Sequence, residues 1–339
     1  MAPSAAARDG PAPSLGATTT RRRALAAFGV AWLAGRASAA TAFASRPVVV
    51  VVPFAPGGIA DLTMRAVAQA MAASLGQAVV VDNRPGAGSI VASQAVAAAA
   101  PDGHTLLLLS NGHAVATGLF KRLPYDVQRD FAPICLLASF DLAVFVDAAS
   151  RWRTVGDVLA HARARPGSLT IGTVSIGSTQ HLAAELFKSR SGIDALLVPY
   201  KTTPAVLAAL RGGEIDLAFE ILGPWLSQLR AGTLRALVLT SARRWPGLPD
   251  LPTLREAGLP GYDVSSWNAL AAPARTPAAA LARLGEAANE ALRQSAVIAQ
   301  LQALGVRPAG GTAQELQLLL GADILRWGDV IRGAKIEPQ

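Results

Sequence analysis

The sequence predicts an α/β protein of two lobes, each a Rossmann-like parallel sheet, with a ligand cleft between them. Three observations carry this prediction. Short β-rich runs alternate with helical patterns through nearly all of the chain after Phe43, the rhythm of βαβ units with right-handed crossovers. The rhythm runs through two cycles, and the apolar runs 136–146 and 264–271 read as strands crossing between the two sheets. A chain of 339 residues is also long enough for two domains with large cores.

The elements follow in order. Pro47 to Pro53, PVVVVVP, is a nearly unbroken β-branched run, as expected of a strand covered on both faces. It leads through FAPGG (54–58) into a helix over 60–75, a strand over 78–81, the turn NRPGAG (83–88), a helix over 89–100 and a strand over 105–109. The second cycle places helices over 154–164, 179–191 and 204–211, with strands over 169–173, 195–198, 215–219 and 234–240. The C-terminal third reads as helices over 277–294, 295–304 and 312–331, the last opened by a Thr312/Glu315 capping box and expected to pack back on the first lobe. The expected boundaries are 45–140 with 268–339 for lobe 1 and 141–267 for lobe 2. Two such lobes can hinge shut around a solute. No repeat of 20 to 50 residues is present, which excludes a solenoid.

The first 39 residues read as an export signal. TRRRAL (20–25) opens a mildly apolar stretch, Ala24 to Ala34, that ends at the small-residue site ASA (37–39). The stretch is too short to span a membrane, and its ending predicts cleavage near Ala39. Consecutive arginines before a weakly apolar core suit the twin-arginine route, with Ala24 in place of the usual bulky residue. A location outside the cytoplasm, in the periplasm, is therefore expected. The formal charge of +8 is unevenly placed: the signal segment holds five arginines against one aspartate. The remaining charge has no basic run and no interleaved aromatics, so a nucleic-acid surface is not expected. Cys135 is the only cysteine, which excludes an intrachain disulfide and a cysteine cluster; a small core residue is expected there.

Candidate site residues lie where strands hand over to helices. In PFAPGGIAD (53–61) a Gly-Gly turn lets the backbone approach a ligand, and the helix then presents free N–H groups and the positive end of its dipole. This is either an anion site or a plain turn. Asp61, in the first helical turn, stabilises the helix end or meets an amine on the ligand. NRPGAG lacks the third glycine of a dinucleotide fingerprint, Val91 standing there, and lacks the acid about 20 residues on. It is read as a structural turn near the cleft. GTVSIGSTQH (172–181) offers hydroxyls and amides at the second lobe's corresponding junction. Thr173 stands where a nucleophile elbow around Ser175 needs glycine, so a hydrolase is only the alternative reading. His181 is read as a structural or hydrogen-bonding residue of its first helical turn. The other histidines, 104, 113 and 161, lack metal-ligand spacing, and neither a metal nor a cofactor is expected. Tyr200 and Lys201 precede a helix, and Glu220 ends a strand at the same edge.

These segments together resemble the substrate-binding proteins of tripartite tricarboxylate transporters, the Bug family. The resemblance is carried by PFAPGGIAD (53–61), VVVDNRPGAGS (79–89), PDGHTLL (101–107), LPYDVQRDFAPI (123–134), GSTQHLAAELFK (177–188), VPYK (198–201), GGEIDLAFE (212–220) and LPDLPTLREAGLPGY (248–262). It implies a type II-like periplasmic binding protein fold and capture of a small carboxylate for uptake or sensing, without enzymatic activity. Backbone amides and bridging waters, rather than an arginine pair, are implied to hold the carboxylate. Carried onto this chain, Phe54, Ala55, Gly57, Gly58 and Asp61 form one wall. Ser110, Asn111, Ser175, Ser178, Thr179 and His181 lie elsewhere in the cleft, with Tyr200 near it; Glu220 is a ligand-binding candidate from its place at the strand end, pointing toward the same cleft edge. The implied partners are tripartite permease subunits or a sensor kinase, and a monomer is expected. One departure stands out: the family's Asp-Asn pair after the residue equivalent to Phe219 is Glu220-Ile221 here.

Overall fold

Gly10, Phe43 and residues 45–339 are described by the computed structural model. The expected export segment 1–39 and its cleavage site lie, apart from Gly10, outside these residues. The framework is a curled sheet with the strand order β2-β1-β3-β9-β4-β7-β5-β6. In its first half β1 (Val48–Val52), β2 (Val79–Asn83) and β3 (Thr105–Ser110) run parallel, as the βαβαβ rhythm requires. In the second half β5 (Leu169–Val174) pairs in parallel with β6 (Ala195–Tyr200) and with β7 (Leu217–Ile221).

Two antiparallel strands join the halves. The first crossing strand is longer than its sequence signal, because β4 (Phe131–Asp147) starts five residues earlier, running through Pro133. Up to Asp141 it pairs with β9 (Ser265–Pro273), and from Leu142 it pairs with β7 and β8 (Leu234–Leu239). The changeover is therefore at Asp141/Leu142. Thr240 and Val264 lie beside it, Thr240 donating from both its amide and its hydroxyl to Leu142 O. A short β10 (Val306–Pro308), absent from the sequence reading, pairs with β4 next to the same point.

Helices cover both faces. The helix α1 (Ile59–Leu75) shows why its residues are helical: Ala60, Met64, Val67, Ala68 and Met71 recur on one face and are all buried. Gly76 ends it in the left-handed conformation, φ 67°. With α8 (Ala278–Arg293) and α9 (Ser295–Ala303) it buries the side of the first half-sheet that carries Val48, Val50, Leu106 and Leu108. The opposite side packs α2 (Ile90–Ala97), α3 (Asn111–Leu119) and α10 (Ala313–Gly333), continuous with α4 (Val155–Ala164) and α5 (Thr179–Ser191) of the second half. The helices α6 (Thr203–Gly212) and α7 (Leu222–Arg230) close a third cluster around Trp225 and Phe145. Because β4 and α10 both contact the two halves, Phe43–Gln339 forms one compact unit.

Some elements differ from the sequence reading. The helix expected over 89–100 covers only 90–97, preceded by a tight turn at 87–89 in which Ser89 takes a φ of 75°. The helices α3 and α7 carry Asn111-Gly112 and Gly223-Pro224 in their first turns, pairs that read as breakers. Proline is tolerated there because the first N–H groups of a helix have no internal acceptor. Cys135 is fully buried, and burial pushes its thiol up to about 12.

Candidate functional site

The carboxyl ends of β1, β3, β5, β6 and β7 each lead into a helix, and the strand ends, loops and first helical turns there contain the candidate site residues. In α/β sheets this edge is where ligands bind. At the end of β1, Asp61 is buried and its side chain is fully engaged. Its Oδ2 accepts from Gly57 N–H (2.8 Å) and Arg65 Nε (2.9 Å), and its Oδ1 from Asn83 Nδ2 (3.0 Å). Asn83 Nδ2 also donates to Phe54 O (3.0 Å), and Arg65 Nη2 donates to Asn83 Oδ1 (2.9 Å). Burial opposes the charge of Asp61, but the hydrogen bonds from Arg65, Gly57 and Asn83 outweigh it and hold the carboxyl below its ordinary range. The acid thus fixes the turn. The NRPGAG segment serves the same turn through Asn83, a role its spacing did not reveal.

Held this way, Ala55, Pro56, Gly57 and Gly58 are exposed, and Gly57 has φ 81°, which favours glycine. Gly58 caps α1 with no side-chain bond, and its carbonyl accepts from Leu62 N–H (2.9 Å). The amides of Gly58, Ile59 and Ala60 have no acceptor among the described residues. A β-carbon at Gly58 would meet only Ala55 O, at 3.6 Å. The turn is an open N–H cradle on the positive end of a 17-residue helix.

At the end of β3, Ser110 caps α3 through a reciprocal box with His113. His113 Nδ1 accepts from Ser110 N–H (3.0 Å), and its Nε2 faces Ser93 Oγ (3.1 Å), which assigns the ring proton to Nε2. Burial pushes this imidazole down to about 4 despite the Ser110 hydrogen bond, so it is neutral at pH 7. Asn111 is buried; its Oδ1 accepts from Trp327 Nε1 (2.8 Å) and its Nδ2 donates to Thr179 Oγ1 (2.8 Å). That last bond joins the first half to the second.

At the end of β5, Ser175 is exposed, with its N–H donating to Tyr200 O (2.8 Å). Ser178 caps α5 by accepting from His181 N–H (3.1 Å) and donates its own hydroxyl to Val174 O (2.8 Å). The His181 ring faces Thr173 Oγ1 (3.3 Å) rather than Ser175, and burial lowers its affinity for a proton. Tyr200 is half-buried and Lys201 is exposed. Glu220 differs from the expectation of an acid presented at the cleft edge, being entirely inaccessible. Its Oε1 accepts from Gln180 Nε2 (2.5 Å) and Ile221 N–H (2.9 Å), and its Oε2 from Thr203 Oγ1 (2.9 Å). Burial raises its proton affinity while those three donors oppose the rise. It ties the starts of α5, α6 and α7 together. Gln180 and Thr203 went unrecognised in the sequence, as did Trp327, because none stands in a local pattern.

The two sets of loops touch on a second flank. A β-carbon at Gly223, in the first turn of α7, would lie 3.1 Å from Ile59 Cδ1 and would collide with the Leu304 carbonyl. Concavities of about 710 Å³, between Trp245 and Arg307, and about 830 Å³, between Arg153 and Pro249, lie away from these loops. The first borders no helix start; the second borders the start of α4, where the Asp157 carboxylate already accepts from the Arg153 and Thr154 amides (3.0 and 2.8 Å), so the strand-to-helix edge is the stronger candidate. Among the described residues no group of three His, Cys, Asp or Glu side chains could hold a metal, and no helix is long and apolar enough to cross a membrane.

Comparison with known proteins agrees with this architecture. Residues 63–336 match the family model described as the tripartite tricarboxylate transporter family receptor. Protein BugT of Bordetella pertussis is 35% identical over 323 residues, covering 93% of this chain and 99% of BugT. Among solved structures, Rpa4515 of R. palustris with adipate shares 35% identity at a TM-score of 0.76, covering 87% of this chain and 99% of that one. MatC from Rhodopseudomonas palustris with bound malate shares 34% identity at a TM-score of 0.72, covering 85% and 100%. The two α/β halves, their crossing strands and these matches agree: the chain belongs to the tripartite tricarboxylate transporter receptor family, as the Bug proteins do.

Proposed function

We propose that this protein is a periplasmic receptor that captures a small carboxylate between its lobes and presents it for uptake or sensing. The observation that carries this reading is the turn 54–58. An internal acid and an asparagine lock it into shape, while the N–H groups of Gly58, Ile59 and Ala60 stay unpaired and Gly57 and Gly58 are exposed. Such a cradle suits an anion, because the amides and the helix dipole need no reorganisation on binding. Adipate and malate, bound in the two R. palustris relatives, are both small carboxylates. The lobes are taken as 45–140 with 268–339, and 141–267, hinged where β4 changes partners. Gly58 and its neighbours form one wall, with Ser110, Asn111, Ser175, Ser178, Thr179, His181 and Tyr200 across the loop edge and Glu220 behind it. Residues 1–39 serve export, with cleavage near Ala39. A membrane permease or a sensor protein receives the loaded receptor, which acts as a monomer.

A thermal-shift screen with mono-, di- and tricarboxylates, amino acids and neutral solutes tests the reading, followed by calorimetry on the hits. At least one carboxylate is expected to raise the midpoint. A rise with neutral solutes alone would overturn the anion cradle.

A further inference from the structure

Asn268 stands apart among the polar side chains near the cleft. It is 97% buried by accessible surface, being 3% exposed, and its Oδ1 has no hydrogen-bond partner. An unpaired buried amide oxygen is destabilising, so its presence calls for a reason. Its place in the fold supplies one. Asn268 lies in β9 directly opposite Ser110, the residue at which β3 ends and α3 begins. Alternation along β9 puts Trp267, Ala269 and Ala271 on one face and Leu270 and Ala272 on the other. Asn268 therefore shares the face of Leu270, which carries α1. Phe54 and Ile59, flanking the amide cradle, pack along that same face. On its other side β4 bulges, with the register shifting between Leu136 and Ala138 at the partner of Asn268. Bulges of this kind re-aim side chains beside sites.

We infer that Asn268 reads a hydroxyl group carried by the captured carboxylate, which rests on the reading of the cleft as a carboxylate site. The chemistry selects the group. A bare carboxylate oxygen suits only the orientation that turns Nδ2 toward it; toward Oδ1 no hydrogen lies between them. An ammonium would need a counter-charge, and the carboxylates of Asp61 and Glu220 are both consumed by partners within the protein. A hydroxyl both donates and accepts, so it satisfies the amide in either orientation. A site built to bond a hydroxyl also discriminates strongly against the analogue lacking it, because the buried partner is then left unpaired.

The test is calorimetry on the full chain with matched pairs of acids, the hydroxylated member first: lactate and propionate, malate and succinate, citrate and tricarballylate. The wild type is expected to bind the hydroxylated member of at least one pair about tenfold or more tightly than its partner, as a lost buried hydrogen bond implies. In Asn268→Leu the ratio should fall to about one, with the affinity for the deoxy member within about threefold of wild type. That variant should also melt higher when ligand-free, since it removes the unpaired acceptor. Equal wild-type affinities within every pair, or a ratio that survives in Asn268→Leu, would overturn the inference and leave the carboxylate reading standing. If no member of any pair binds while another carboxylate does, the inference falls and the carboxylate reading stands; if only neutral solutes bind, both fall. Should Asn268→Leu fail to fold, Asn268→Ser retains polarity with shorter reach and must lower the ratio at least about threefold; an unchanged ratio overturns the inference.

Discussion

Asp61 sits in the first turn of a helix whose free amides form the proposed anion cradle, where an open acid would repel an anion. The conflict is avoided because its two oxygens are filled by Gly57, Arg65 and Asn83. Two substitutions separate shaping the turn from using it. Asp61→Ala should lower both stability, by about 1–3 kcal/mol, and ligand affinity, since three donors lose their acceptor. Gly58→Pro should leave the melting temperature within a few degrees of wild type, because φ at Gly58 is −73°, within proline's range. It should nonetheless cost about tenfold or more in affinity by deleting one cradle N–H; wild-type affinity in calorimetry would remove Gly58 from the site. Asp61 also sets an acid limit. Its carboxyl is held below the ordinary range, so its contribution is complete above the unfolded value near 3.9 and fades as pH falls through the folded value.

The junction of β3 and α3 has its own pH signature. His113 is buried and neutral, with its proton affinity pushed down to about 4 against an unfolded value near 6.5. Between these values the unfolded chain binds the proton that the folded chain refuses, so stability must fall as the solution is acidified from pH 6.5 toward 4. The full effect is up to about 3 kcal/mol. His113→Gln, which does not titrate, should flatten that part of a melting-temperature profile; a slope equal to wild type would assign it to other groups. The same junction shows what was readable at the level of elements. The strand over 105–109 was legible from its apolar run and the last helix from its Thr312/Glu315 box. The helix α3 was not, because Asn111-Gly112 mimics a turn and the cap that overrides it is completed by a histidine rather than by glutamate. The helix α7 was hidden likewise by Gly223-Pro224.

At the scale of the molecule, the two-lobed plan was legible because strand and helix periods alternate twice and two runs are free to cross. The loops 53–61 and 172–181 stood out because their glycines and hydroxyls are local signals. The side-chain contacts that tie the lobes together beside those strands were not legible. The bond from Asn111 to Thr179 links positions 68 residues apart, and Trp327 supports Asn111 from 216 residues away. No spacing rule connects such residues. The opposite flank is tighter still, since Gly223 lies against the Leu304–Gly305 backbone and beside Ile59 at the start of the amide cradle. A side chain there meets main chain, which cannot rotate aside as a flexible side chain would. Gly223→Ala should therefore hold the lobes apart on that flank while the core of each stays intact. Ligand affinity should drop about tenfold or more, because binding must then work against the displaced contact. The radius of gyration in small-angle scattering should exceed that of the wild type in the presence of saturating ligand. Ala substituted instead at Gly333, where a β-carbon meets nothing within 4 Å and φ is not positive, controls for the loss of a glycine as such. If Gly223→Ala bound and scattered like the wild type, lobe contact at this flank would have no part in capture.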